Sequence, residues 1–565
     1  EMYWSYLVKE LIMSTDFSVN HYETDFLCIG GGIAGLMAAI RAADLGMQCT
    51  VVEKANVRRS GSGGLGNDHF ICYIPEVHGD YETFIDDVLR LQNGDRLRQM
   101  GADWARKFFF KTNEIVKLWE SWGIPMKYNG EYYFAGHSLP GRTRAFLKYS
   151  GRDQKLVLTK EAQKRHIQIH NRRMAYELLH DENGAVKGAV AVDTREKVLH
   201  VYRAKAVLLS TGLVNNLWPF GRQSHVGATP DMLNLTADGR MMAFKAGAEL
   251  CNLELPSLHS GIKYFSRNGQ ATWEGVLRDV TGRPLGPFLE KPEPLYGDIT
   301  MEVRKELIEE ANQSERGPIF MDMYGLSEEQ MDTMHHWLRQ EGNYTLLRHF
   351  EQENVDLMDT AVEFATYPLL MPPSSGIAFN ADSETNVPGL YAAGDEGYGG
   401  IAGACVTGWW AAESADKFIK DKERCDVSCF EERIAEISEN FSAMLGRDKG
   451  ADWKEALQAL QNITWDYCGP VRSAASLEHG LSHLRRVRQK ARETLKAENP
   501  HELVLCLGML NLYDLAELVF LMADERKESR GYHRRADYVL PDLRLNGKKQ
   551  YIRKTLNNEI CMTWR

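Results

Sequence analysis

The chain has 565 residues, too many for one compact core, so it divides into several domains. Hydrophobic residues make up 44% and charged residues 26%, as in ordinary globular proteins, and a formal net charge of -11 argues against nucleic acid as the main partner, because phosphate binding needs a basic surface. The ten cysteines are scattered, only Cys425 and Cys429 lying close together, which excludes a disulfide framework or a four-thiolate metal site and points to a reducing, cytoplasmic setting. No run reaches the roughly 18 apolar residues of a membrane span. Lys9 and Glu10 interrupt the apolar start, so it is a poor signal peptide, and Met13 is read as the natural start after an upstream extension.

In chain order, residues 23 to 29 predict a buried strand, 33 to 46 a helix and 48 to 53 a second strand. This β-α-β unit implies a parallel sheet covered on both faces. Between the first strand and the helix, Gly30-Gly31-Gly32-Ile33-Ala34-Gly35 fits the G-x-G-x-x-G pattern. Gly30 allows the tight turn, Gly32 admits a pyrophosphate and Gly35 lets the helix pack closely, while the helix N-terminus offers free N–H groups. Glu53 follows 18 residues after Gly35, before Lys54, and can accept both ribose hydroxyls of an adenine dinucleotide. Residues 82 to 122 read as charged helices, 185 to 192 and 197 to 202 as a hairpin or meander, and 205 to 212 as a buried strand ending in Ser210-Thr211-Gly212. Mixed periodicity with Gly and Pro breaks marks 226 to 364 as an inserted domain. A late buried strand ends at Gly394-Asp395, with Ala404 beyond it, and 426 to 530 is helical; the last thirty residues look irregular and basic. The late strand lies some 360 residues after the glycine loop, so the dinucleotide domain is discontinuous and FAD is favoured over NAD.

The expected architecture is α/β: a discontinuous Rossmann-like FAD-binding domain (14–225 and 365–425), an inserted α+β capping domain (226–364), a helical domain (426–530) and a tail (531–565). The chain resembles the flavoprotein subunits of fumarate reductase, succinate dehydrogenase and adenylylsulfate reductase, closest to the last of these. The resemblance rests on Arg59-Ser60-Gly61 before a turn holding Gly64 and Leu65, Ala237-Asp238-Gly239, Gly317 to Asp322, Gly469 to Arg472 and Glu528 to His533, as well as the late strand. It implies an FAD-dependent oxidoreductase, a small anionic substrate and a separate, ferredoxin-like iron–sulfur subunit exchanging electrons with FAD. The basic stretch with Arg526, Arg530, Arg534 and Arg535 is the expected docking surface for that subunit.

Departures from the family narrow the chemistry. The covalent branch attaches FAD to a His after the Arg-Ser pair; Gly61 stands there, so FAD should be non-covalent. With Arg304 placed on the second family Arg, the fumarate proton donor falls near Ile299, beside Asp298, with no Arg. The turn Pro372 to Gly376 lacks the His of adenylylsulfate reductases, and Arg152 falls on their substrate-side Glu. Both activities are therefore expected to be weak. Candidates for catalysis are His69, His259, Lys263, Arg152, Arg304, Arg530 and His533. Trp409-Trp410 either stacks on the flavin or a substrate ring or fills the core. Two alternatives stay open: a divergent adenylylsulfate or fumarate reductase, and a flavin electron-relay subunit without a substrate pocket.

Overall fold

The computed structural model describes residues 17–90, 100–136, 142–219, 234–262, 272–285, 290–292, 305–312, 314–370, 375–426, 430–555 and 557–565. The first unit is β1 (Ser18–Ile29), α1 (Ile33–Asp44) and β2 (Cys49–Glu53), with β1 and β2 parallel from Phe26↔Cys49 to Ile29↔Val52. Four more strands, β3 (Gln168–Asn171), β4 (Arg173–His180), β5 (Val186–Asp193) and β6 (Val198–Leu209), give the order β3-β2-β1-β6-β5-β4. The late strand β7 (Leu390–Ala392) joins β6 in parallel, so the chain returns to this sheet after its insertion. Helix α1 is covered on nearly every side: Leu36, Met37, Ala38, Ala39 and Ile40 are fully buried. It lies between the sheet, α2 (Gln154–Lys164) and α3 (Ile401–Ile419).

Sequence patterning suggested two strands over 197–212; the protein has one. The first half of β6 pairs antiparallel with β5 and its end pairs with β7, while β1 runs along its other edge. Arg203 and Lys205 interrupt the apolar pattern because they reach Glu23 and Asp25 of β1.

The insertion carries a four-stranded antiparallel sheet in the order Ser257–Ile262, Val362–Leu369, Ile319–Asp322, Val276–Arg278. Trp273, Met321, Met334, Leu338 and Phe364 form its own core. The sheet runs past residue 364 to Leu369, and the helix Asp238–Lys245 belongs to the main core through Met241, Met242 and Ala243.

The last helix, α4 (Pro500–Glu525), corrects the reading that no segment suits a membrane. By length and composition it is apolar enough to cross one, with a mean hydropathy of 1.8, but 83% of that stretch is buried inside the protein. Its interruptions, Asp514 and Glu517, pair with Arg492 at 2.5 Å and Arg485 at 2.7 Å from the preceding helix, Ala474–Thr494.

The tail is not irregular. Gln550–Lys554 and Ile560–Trp564 form a hairpin that pairs with Leu250–Cys251. Nor is its basic stretch an open docking surface: Arg526 and Arg535 are each 1% exposed, bonded to Glu254 and Glu528 and to Asp537, while Arg534 pairs with Glu310 of the insertion.

Candidate functional site

The glycine loop joins β1 to α1 against the end of β6. Gly30 has φ +97°, and a Cβ there would stand 2.3 Å from the Ser210 carbonyl oxygen; one on Gly35 would stand 1.9 Å from the Gly30 oxygen. Both positions exclude side chains, which fixes strand, loop and helix together. Gly32 differs: its Cβ would meet nothing nearer than Ser210 O at 3.9 Å, so its outer side is open. Across that opening Gly61 (φ +73°) faces the Gly32 Cα, and Ser60 Oγ is buried without a hydrogen-bond partner. An open cradle, a helix N-terminus and an unpaired hydroxyl are what a dinucleotide's pyrophosphate requires. Glu53 closes β2, 6% exposed, and accepts from Gly31 N and Ala55 N, both at 2.7 Å.

Beneath the loop, Ser210 Oγ donates to Ile29 O or Gly30 O at 2.9 Å. Thr211 donates from N and Oγ1 to Glu396, and Gly239 N donates to Thr211 Oγ1 at 3.0 Å. Burial pushes the Glu396 carboxyl up to about 7, against the opposing pull of buried Arg240 at 3.6 Å. Lys54 and Asp238 form a 2.6 Å ion pair that Thr236 and Asn511 of α4 complete, so this pair ties the helical domain to the dinucleotide domain. Gly212 and Gly394 stand at positive φ where β6 and β7 end, with Ala404 beside Gly394, and Asp395 Oδ1 accepts from Gly400 N at the start of α3.

The two domains meet at the segment following the cradle. The backbone at Gly342, just after the helix Glu328–Gln340, lies so close to Leu65 that a Cβ would be 2.6 Å from the Leu65 oxygen. Next to this contact, His69 Nδ1 is 2.7 Å from Asp68 Oδ1 and 3.9 Å from Glu341 Oε1. Lys148 and Thr272 hold Asp68 Oδ2 at 2.6 and 2.9 Å. Burial would raise the Asp68 carboxyl, but Lys148 and His69 hold it well below the usual carboxylate range. As an ionised acceptor it takes the Nδ1 hydrogen of His69 and so orients the ring. Glu274, near Lys148, is pushed by burial up to about 7. Arg152 is exposed over the Tyr344 ring at 5.1 Å, its carbonyl bonded to Arg59.

Other sequence candidates lie elsewhere. His533 is fully buried between Arg472, 2.9 Å from Nδ1, and the Arg526 carbonyl, 3.0 Å from Nε2. An arginine only donates and a carbonyl only accepts, so the ring is locked neutral and serves the tail. Arg530 is likewise bound to Glu528 and Asn546. Neither joins His69. Trp409 lies on Arg41 and Glu413, and Trp410 on Trp104 and Lys107, so both pack around α3 rather than beside the cradle. The His259 side chain, Lys263, Ile299, Arg304 and residues 371–374 fall outside the described residues. Sequence reading missed Asp68, Lys148, Glu341, Arg240, Glu396, Gln154 and Lys155; only Glu396, beside Asp395, and Asp68, beside His69, carried a local signal.

Together the cradle and the returning strand define a flavoprotein of the dinucleotide-binding class. The family described as FAD binding domain matches residues 25–408, and the fumarate reductase flavoprotein C-terminal family matches residues 457–559. The chain belongs to the fumarate reductase/succinate dehydrogenase flavoprotein family of FAD-dependent oxidoreductases. It is 27% identical to a fumarate reductase (CoM/CoB) subunit from Methanothermobacter marburgensis, over 94% of this chain and 97% of that protein. It is 23% identical to the L-aspartate oxidase of Vibrio cholerae, over 92% and 96%. Among solved structures, adenylylsulfate reductase from Archaeoglobus fulgidus superposes with a TM-score of 0.81 at 22% identity, covering 97% and 96% of the chains. The quinol fumarate reductase of E. coli gives 0.79 at 18% identity, covering 96% and 97%.

Proposed function

We infer that this chain is the catalytic flavoprotein subunit of a heteromeric oxidoreductase that reduces or oxidises a small anionic substrate, with a ferredoxin-like iron–sulfur protein as electron partner. The observation that carries this reading is His69, held between Asp68 of the FAD domain and Glu341 of the insertion. Bound non-covalently, FAD supplies hydride chemistry at N5. With its Nδ1 hydrogen held by Asp68, His69 takes a proton from the substrate carbon on Nε2 in the oxidising direction and returns it from there in the reducing one, and the facing insertion excludes water. Glu341 brings a second carboxylate to the Nδ1 side of His69 from the insertion, so both domains shape this group. Relatives named for fumarate and aspartate support a carboxylate, an enoate first of all. Fumarate and adenylylsulfate themselves are weaker candidates, since the sequence carries Asp298-Ile299 rather than Arg at the expected donor position and no His in Pro372 to Gly376. A partner that carries the iron–sulfur cluster suits a chain whose described residues offer Asp68, His69 and Glu341, rather than a set of thiols, as potential metal ligands.

The test is stopped-flow mixing of the reduced protein with a panel of enoates and dicarboxylates. Reoxidation by at least one is expected, slowed about 10²–10⁴-fold in His69→Gln at unchanged flavin content. An unaltered rate in that variant refutes the assignment. Purification from the native source is expected to bring an iron–sulfur protein with the chain, and a chain reduced directly and rapidly by a nicotinamide refutes that partner.

A further inference from the structure

Helix α2 begins with two buried polar residues that the chemistry above does not use. Gln154 is 1% exposed; its Nε2 donates to Gly63 O at 3.0 Å and its Oε1 accepts from Tyr149. Lys155 is fully buried and donates through Nζ to the Gly31 carbonyl oxygen. One helix start thus holds both loops that flank the cradle. Lysine is an unfavourable choice here twice over: burial opposes the charge, and the positive end of a helix repels it. The facing charge is Glu53 of β2, whose oxygens already accept from Gly31 and Ala55. Charges on the elements around it pair with one another: Arg41 with Glu413, Asp44 with Arg165, Arg59 with Asp153 and Lys54 with Asp238.

In a planar trans peptide the C=O and N–H point in opposite directions. With Gly31 O drawn inward to Lys155, the N–H of Gly32 is turned the opposite way, away from Lys155, and a Cβ at Gly32 would meet nothing nearer than Ser210 O at 3.9 Å. The ammonium also polarises that amide and strengthens it as a donor. Beside it Glu53 holds the N–H of Gly31, so both peptides at the crest of the loop are fixed before a ligand arrives.

We propose that Lys155 is a positioning residue for FAD: it aims the Gly32 N–H at the pyrophosphate and supplies the buried positive charge that the two phosphates offset. The inference rests on FAD lying along the glycine loop. Burial holds the Lys155 ammonium down at about 8, Glu53 pulling the other way. Bound phosphate favours the charged form and raises that value. Affinity gained this way is therefore complete below pH 8 and is lost as pH rises from 8 towards the higher value of the bound state, by up to tenfold for each unit.

The experiment is FAD titration of the flavin-stripped full chain between pH 6.5 and 9.5, followed by flavin fluorescence, with circular dichroism confirming the fold at each pH. Wild type is expected to bind evenly up to pH 8 and progressively more weakly above it. Lys155→Met should bind at least tenfold more weakly at pH 7 and show no loss above pH 8. Lys155→Gln, which keeps a donor for Gly31 O without the charge, should bind with intermediate affinity and the same flat profile, and it carries the comparison if the Met variant does not fold. Wild-type affinity in either variant, or the wild-type slope in both, overturns the proposal. Gly32→Val distinguishes failure of the premise: if it binds FAD normally, the cofactor does not lie on this loop.

Discussion

A valine at Gly32 separates holding the fold from holding the cofactor. The backbone there has φ -67° and ψ -172°, an extended conformation any residue adopts, and an added Cβ meets only Ser210 O at 3.9 Å. Loss of glycine's freedom in the unfolded chain favours the variant by about 0.4–1 kcal/mol, and the weaker helix cap opposes it by about as much. The flavin-free variant should therefore unfold within about 1 kcal/mol of flavin-free wild type. Its branched side chain fills the place of the pyrophosphate, so FAD should not bind. For wild type, FAD at 100 times its Kd adds about 2.7 kcal/mol of stability; for Gly32→Val that increment should vanish. Gly35→Ala supplies the contrast: its methyl group would stand 1.9 Å from the Gly30 oxygen and should cost about 1–3 kcal/mol or more even without flavin. Differential scanning calorimetry with and without FAD, together with the flavin absorbance of purified protein, measures both quantities. A valine variant with full flavin and the wild-type thermal shift would show that the loop is only a turn.

Acid precipitation should release all the yellow cofactor into the supernatant, because Gly61 offers no nucleophile for a covalent link; flavin fluorescence left on the denatured chain refutes this. Arg535→Glu should cost about 3–5 kcal/mol, since it puts an unpaired carboxylate in the buried place of a guanidinium, beside Asp537, and strands the Ala523 carbonyl. Arg534→Glu, in a half-exposed pair with Glu310, should change stability by less than about 1 kcal/mol in urea unfolding. An equally small cost for both would refute the enclosed position of Arg535.

The FAD domain was legible because its physics is local. A strand, three glycines and a helix occupy adjacent residues, and Glu53 ends the next strand. The proton-handling group was half legible: His69 stands out after the glycine-rich turn with Asp68 beside it, but Lys148 lies 80 residues from Asp68 and Glu341 comes from the insertion. Lys155 had no signal, because in QKLVLTKEAQK it reads as a solvated helix charge. The arginines near the end misled for the converse reason. Composition shows a basic stretch but not the carboxylates that enclose it, and Glu254 lies 272 residues from Arg526.

Two of the acids within α4, Asp514 and Glu517, bear on how the chain is made. A 26-residue apolar helix is what the membrane-insertion machinery selects as it leaves the ribosome. A carboxylate near the middle of such a segment makes insertion costlier by about 2.5–3.5 kcal/mol, and Asp514 lies close to the midpoint. Arg485 and Arg492, synthesised just before it, are at hand to receive Glu517 and Asp514 when the helix emerges. The ion pairs that join two helices in the finished protein thus also bias the nascent segment away from lipid, and exchanging both acids for leucine would leave a sequence that reads as a membrane anchor before it can find its place in the core.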